Sequence, residues 1–135
     1  MNERLALAGV PKAGKTTTAN NYAEVPIYHT DDLIVDHEWS AASEKIATWF
    51  DRPGPWVIEG VAIPRALRKW IATHKDGKPV DRIIWLGVPR LALTRGQQTM
   101  AKGCQKVMQE ITPELLRRGV CFGTDPCETR KPPIG

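Results

Sequence analysis

The segment from Arg4 to Thr18 limits what this chain can fold into more than any other. Leu5, Ala6, Leu7 and Ala8 form a short apolar run, and Gly9-Val10-Pro11-Lys12-Ala13-Gly14-Lys15-Thr16 comes directly after it. The run reads as a buried strand, and the glycine-bounded segment matches the whole phosphate-binding pattern G-x-x-x-x-G-K-T, the P-loop. Gly9 and Gly14 admit backbone conformations closed to other residues, so that N–H groups of the loop turn inward around a phosphate chain. Val10, Pro11, Lys12 and Ala13 form the path between them. Lys15 carries a point charge toward the β- and γ-phosphates and Thr16 offers a hydroxyl to Mg²⁺. Thr17 stands in the first turn of the helix that must begin here, whose positive dipole end faces the same phosphates. By chance the full pattern arises in roughly one chain of this length in a few hundred.

The rest of the chain alternates in a way that suits this start. A helix is expected over residues 15–24, closed before Pro26, and a short strand over 27–30. One or two helices come next between Leu33 and Phe50, then a turn at Asp51-Arg52-Pro53-Gly54-Pro55. Trp56-Val57-Ile58-Glu59-Gly60 and Arg82-Ile83-Ile84-Trp85-Leu86-Gly87 are continuous apolar runs of the kind a buried parallel sheet uses. Pro64 opens a basic amphipathic helix carrying Arg65, Arg68 and Lys69. A further helix is expected from Pro89-Arg90 past Arg95 to Lys102 or beyond, with Gly103 as a break or kink. A short helix is expected at Leu115–Arg118, and a brief fifth strand at Val120–Phe122. The fold expected is α/β: a three-layer sandwich around a mostly parallel sheet of four to five strands.

At 135 residues the chain has room for one domain, 1–135, with an irregular basic tail over about 123–135. No apolar run is long enough to cross a membrane. Met1-Asn2-Glu3-Arg4 has no leader pattern, so a cytoplasmic location is expected. The net charge of +4 leans toward a polyanionic partner, although a solvated surface with excess Lys and Arg explains it equally well. Cys104, Cys121 and Cys127 show no paired spacing and are read as reduced thiols.

Three groups add chemistry to the loop. Asp31 and Asp32 end the second strand, at the edge where open parallel sheets bind ligands, and can accept a proton from an attacking hydroxyl. Asp is also a favoured helix N-cap, and capping by one leaves the other for chemistry. Glu59 ends a buried strand, a position suited to a Mg²⁺ ligand or a substrate contact; pairing with a nearby arginine is the alternative. Arg90 and Arg95, beside Gly96-Gln97-Gln98, can close over a transferred phosphate.

On Gly9–Thr16, Asp31-Asp32 and the strand Trp56–Gly60, the chain resembles the small P-loop kinases of the adenylate and thymidylate kinase type. Locally it resembles polynucleotide kinases, which join a P-loop to an Asp-Asp pair after the second strand. The resemblance runs over residues 4–102 in order of elements. It implies ATP and Mg²⁺ as cofactors, with Asp31 as general base, Lys15 and Arg95 at the transferred phosphate, and Thr16 and Glu59 at the metal. An arginine succeeds the Asp pair in polynucleotide kinases, whereas Leu33-Ile34-Val35 stands here. The short chain leaves little room for an acceptor domain, which suits a large acceptor bringing its own surface. That logic resembles the phage kinases that phosphorylate 5-hydroxymethyluracil in DNA, acting in the host cytoplasm.

On that reading Arg65, Arg68, Lys69, Arg130 and Lys131 contact DNA phosphates, and Trp39 or Trp49 stacks on a displaced base. Two other acceptor classes are a nucleoside or nucleoside monophosphate and another small metabolite. Outside phosphotransfer stand a nucleotide-dependent switch, in which Glu59 positions water, and a basic nucleic-acid-binding protein whose loop only grips phosphate.

Overall fold

The computed structural model describes residues 3–9, 24–30, 39–87 and 92–123. Five parallel strands form one sheet: β1 (Arg4–Gly9), β2 (Ile27–His29), β3 (Trp56–Gly60), β4 (Arg82–Leu86) and β5 (Cys121–Phe122). Their order is β2-β3-β1-β4-β5, which puts the P-loop strand at the centre. Every residue of β3 is buried, as are Leu5 to Gly9 of β1, and their unbroken apolar sequence reflects burial on both faces. The expected α/β fold with a parallel sheet is present, and all five strands run the same way.

Three helices are described: α1 (Trp39–Trp49), α2 (Ile63–Thr73) and α3 (Arg95–Arg117). They share one face of the sheet. Ile46 and Phe50, Ile63 and Leu67, and Met108, Ile111 and Leu115 meet Ala6, Ala8, Ile58 and Ile83 there. Leu5, Leu7 and Val57 point to the other face and are fully buried too. Each such Leu or Ile contributes roughly 1.5–3 kcal/mol by leaving water, so the sheet is the stable platform on which loops are hung.

The last helix departs from expectation. Residues 92–94 are not helical, and α3 begins at Arg95 behind a capping box. Thr94 Oγ1 accepts from the Gln97 amide at 3.2 Å, while Gln97 Oε1 accepts from the Thr94 amide at 3.0 Å. From there α3 runs 23 residues without a break at Gly103 and carries Pro113 inside it. A continuous stripe, Ala101, Cys104, Val107, Met108, Ile111 and Leu115, outweighs both breakers. Pro113 removes one N–H, and Gln109, whose carbonyl loses that partner, is exposed to water. The predicted separate helix at Leu115–Arg118 is therefore the end of α3.

That end is fastened by charge. Glu114 accepts from Arg117 and Arg118 at 2.9 and 2.6 Å, and Arg118 donates onward to the carbonyls of His74 and Gly77 at 2.7 and 3.1 Å. Hydrogen bonds from the two guanidiniums hold the Glu114 carboxyl at about 2. Its folded value lies below the ordinary 4.5, so its stabilising contribution is complete above pH 4.5 and is lost as the pH falls toward 2. Glu114→Gln is expected to flatten the pH dependence of unfolding across that window in denaturant titrations. A slope equal to that of the parent protein would remove the pair from the acid response.

At the same edge of the sheet, the Arg4 backbone and guanidinium donate to Asp81 at 2.8 and 3.2 Å. Burial raises the Asp81 carboxyl, but Arg4 and Lys78 outweigh it and leave the group below its usual range. Cys121 is disulfide-bonded and Cys104 is a buried free thiol, so the expectation of three reduced thiols is corrected. The P-loop beyond Gly9, together with Asp31, Asp32, Arg90 and the tail from 124, lies outside the described residues. No described helix is long and apolar enough to cross a membrane.

Candidate active site at the sheet edge

Parallel strands end on one edge, and here the connections make one point of that edge special. The chain leaves β1 toward β2 on one flank, whereas β3 leads across to β4 on the other. Such a switch of direction opens a crevice at the end of the central strand. Gly9 lies there. A Cβ on Gly9 would collide with the Leu86 carbonyl oxygen and stand 2.9 Å from Leu86 Cβ, so the close approach of β1 to β4 requires a glycine where the loop begins.

One strand over, Glu59 is 2% exposed and stands in register with Leu7 on one side and His29 on the other. Its Oε1 lies 2.7 Å from Nδ1 of His29, whose side chain is 37% exposed. Among the described residues the partner of Glu59 is thus a histidine, a residue with no role in the expected site. A signal for it exists in the sequence: His29 and Glu59 each sit at the end of an apolar run, and parallel register brings such ends together.

Thr30 continues the β2–β3 ladder by donating its amide to the Glu59 carbonyl at 2.9 Å. It is fully buried, and its Oγ1 is one of two buried side-chain oxygens without a hydrogen-bond partner among the described residues, the other being Ser43 Oγ. Gly60 faces it with φ +145°, a conformation that glycine tolerates. The residue before Asp31 is therefore pinned by backbone and packing.

Arg95 is exposed at the first position of α3, on the far side of residues 87–94 from the end of β4. A cation at a helix N-terminus opposes the dipole, a placement that an anion nearby would make favourable. The basic helix expected to carry Arg65, Arg68 and Lys69 is α2. Arg68 pairs with Glu110 at 3.6 Å and Lys69 with Glu44 at 3.7 Å. Tyr28 lies 5.9 Å from Trp49, tilted to it, and the Arg52 guanidinium lies 5.4 Å from the centre of its ring. The Trp39 side chain, Lys15, Thr16, Thr17, Asp31 and Arg90 fall outside what is described, so their placement here is by chain connection from Gly9, Thr30 and Gly87.

For a bound Mg–nucleotide the residues are chemically suited: a glycine-walled exit from the central strand, then a lysine and a threonine, with a buried carboxylate one strand away. His29 takes one acceptor position of Glu59 at Oε1, and the remaining lone pairs of the carboxylate are of the kind that meets a hydrated metal. Among the described residues no three His, Cys, Asp or Glu side chains cluster as a metal site.

A five-stranded parallel sheet with helices packed on it is an α/β fold that solved kinase structures share. Two solved structures make the likeness concrete. Shikimate kinase from Acinetobacter baumannii in complex with shikimate matches with a TM-score of 0.53 at 13% identity, over 90% of this chain and 83% of that one. Shikimate kinase from Bacteroides thetaiotaomicron matches with a TM-score of 0.48 at 13% identity, over 95% and 89%. At that identity the first of these establishes a shared fold. No protein-family model and no curated protein sequence matches the chain.

Proposed function

We propose that the chain is an ATP- and Mg²⁺-dependent phosphotransferase that moves the γ-phosphate to a hydroxyl on a nucleotide or nucleic acid. The observation that supports this reading is that Gly9, Thr30 and Glu59 lie at one edge of the parallel sheet, from which the chain continues into the rest of the P-loop and into Asp31-Asp32. In chain order the P-loop comes after β1, Asp31-Asp32 after β2, Glu59 is next to last in β3 and Arg95 opens the helix after β4. The fold shared with a kinase supports it.

In this reading Gly9 to Thr17 and Lys15 hold the phosphate chain, with Thr16 on the metal and Glu59 held near it by His29. Bound Mg²⁺ would offset charge on the transferred phosphate. Asp31 orients the acceptor hydroxyl and takes its proton, and Arg95 with Arg90 neutralises the phosphate in flight. Catalysis is then mostly positioning and electrostatics.

The finer acceptor we propose is the hydroxymethyl group of 5-hydroxymethyluracil in phage DNA. The net charge of +4 favours it, while the glutamate partners of Arg68 and Lys69 favour a nucleoside monophosphate. Incubation with γ-labelled ATP and either hydroxymethylated duplex or mononucleotides separates them. Label on DNA, falling steeply with added salt, is expected for the first. Label on the mononucleotide alone would exclude it, and hydrolysis with no labelled acceptor of either kind would overturn the phosphotransfer reading in favour of a switch.

A further inference from the structure

A cavity of about 430 Å³ lies between α3 and the β4–β5 pair, walled by Trp85, Gln105, Met108, Gln109, Thr112 and Phe122. None of these residues has a part in the site described above. The volume falls within the roughly 300–1,000 Å³ of small-ligand pockets.

The two aromatic walls come from neighbouring strands. Phe122 is in register with Ile83, and Trp85, two residues further along β4, presents its side chain to the same face as Ile83. Both rings are half-buried and rest on the main core. Trp85 is also held from the side: a Cβ on Gly87 would stand 2.7 Å from its Nε1, so the indole lies along bare backbone. On the helix, Gln105, Met108, Gln109 and Thr112 are spaced by three or four and share one face. Met108 is buried and supplies an apolar floor. Gln105 and Gln109 are exposed, and their amides make no hydrogen bond among the described residues. No wall residue carries a charge. Two rings, a thioether and two unspent amides suit a flat, neutral heterocycle with a hydrogen-bonding edge, which is the chemistry of a nucleobase.

Positive charge stands just beside the cavity. Lys102 is three residues before Gln105 and Lys106 three before Gln109, on the adjoining strip of α3. Both are exposed, and neither pairs with an acid among the described residues. The two acids of α3 meet other cations: Glu110 meets Arg68 at 3.6 Å, and Glu114 meets Arg118 at 2.6 Å. On the opposite flank of the helix a Cβ at Gly103 would stand 3.3 Å from Arg65 Nη2, so that guanidinium rests against bare backbone of α3.

We infer that the cavity holds the base of an unpaired nucleotide within a nucleic-acid strand, with Lys102 and Lys106 on the flanking phosphates. The inference rests on the phosphotransferase reading only in taking that strand for the acceptor. A base inside a duplex has its faces stacked and its edge paired, so only an unpaired or displaced one can enter. Two cations one helical turn apart suit successive phosphates of a strand, whereas a free nucleoside monophosphate brings one.

The test is equilibrium binding of the full chain to a fluorescein-labelled single-stranded oligothymidylate of about ten nucleotides, followed by anisotropy without ATP. Saturable binding is expected, with a Kd on the order of 10 μM at low salt. An abasic strand of the same length should bind about tenfold more weakly. Gln105→Glu with Gln109→Glu places charge on the wall at exposed positions and should also weaken binding about tenfold or more, with ATP affinity unchanged. Lys102→Gln with Lys106→Gln should lower the slope of log K against log salt by about 1.4. Binding that never saturates, equal affinity for intact and abasic strands, or indifference to the glutamate pair overturns the inference. Displacement of the strand by thymidine monophosphate at equal nucleotide concentration overturns the strand as occupant.

Transfer of labelled phosphate to DNA that survives the glutamate pair would strike the cavity and leave the phosphotransferase standing. Strand binding that the pair abolishes, in a protein that phosphorylates no acceptor, would do the reverse.

Discussion

Asp31→Asn is expected to lower kcat by roughly 10²–10⁴-fold while Mg–ATP affinity changes by less than about twofold. Asparagine keeps the size and the hydrogen-bonding reach of the carboxylate but accepts no proton, so only the transfer step is touched. The position is well supported from behind. Thr30, the residue before it, is bonded to the Glu59 carbonyl at 2.9 Å and buried completely. Asp31 therefore leaves a fixed point of the sheet, and the substitution should not loosen the strand. Single-turnover transfer beside equilibrium binding of ATP separates the two effects. Unchanged kcat would remove Asp31 as the base; a parallel loss of ATP affinity would place it at the donor instead.

The second large effect is on the fold. Gly60→Ala would drive a Cβ into Thr30 Oγ1 and to 2.8 Å from the Thr30 Cβ, at a φ of +145° that alanine resists. Backbone strain of about 1–3 kcal/mol and overpacking of similar size add together, a large share of the ~5–15 kcal/mol that holds a domain folded. Thermal unfolding should begin at least ~10 °C lower, at several degrees per kcal/mol. Because two separate causes act, Thr30→Ala should recover part of the loss in the Gly60→Ala background and little by itself. A Gly60→Ala protein that melts within about 3 °C of the parent would overturn the packing argument.

These two residues illustrate what the sequence reveals and what it leaves hidden. The P-loop, β1, β3 and β4 are legible because each is a local pattern: a glycine spacing or an unbroken apolar run. Alternation of such runs with helical stretches is enough for the order of layers. Contacts between distant residues are far less legible, and the matching ends of two apolar runs are all that points to His29 and Glu59. The pairing of Glu59 with His29 depends on register across 30 residues, and those of Arg68 with Glu110 and Lys69 with Glu44 depend on how α2 sits between its neighbours. Within the run of cations that in isolation reads as a nucleic-acid surface, two members also meet glutamates of the neighbouring helices. Gly103 misleads for the same reason: a helix-breaking residue has its ordinary meaning only when nothing across the way needs the space.

The sheet ends in strands of three residues at β2 and two at β5. A margin that short offers few unpaired backbone groups for the strand of another molecule to copy. The long ladders, β1 with β3 and β1 with β4, are sealed in the middle. In the folded state these short edges disfavour growth of the sheet into a neighbour's.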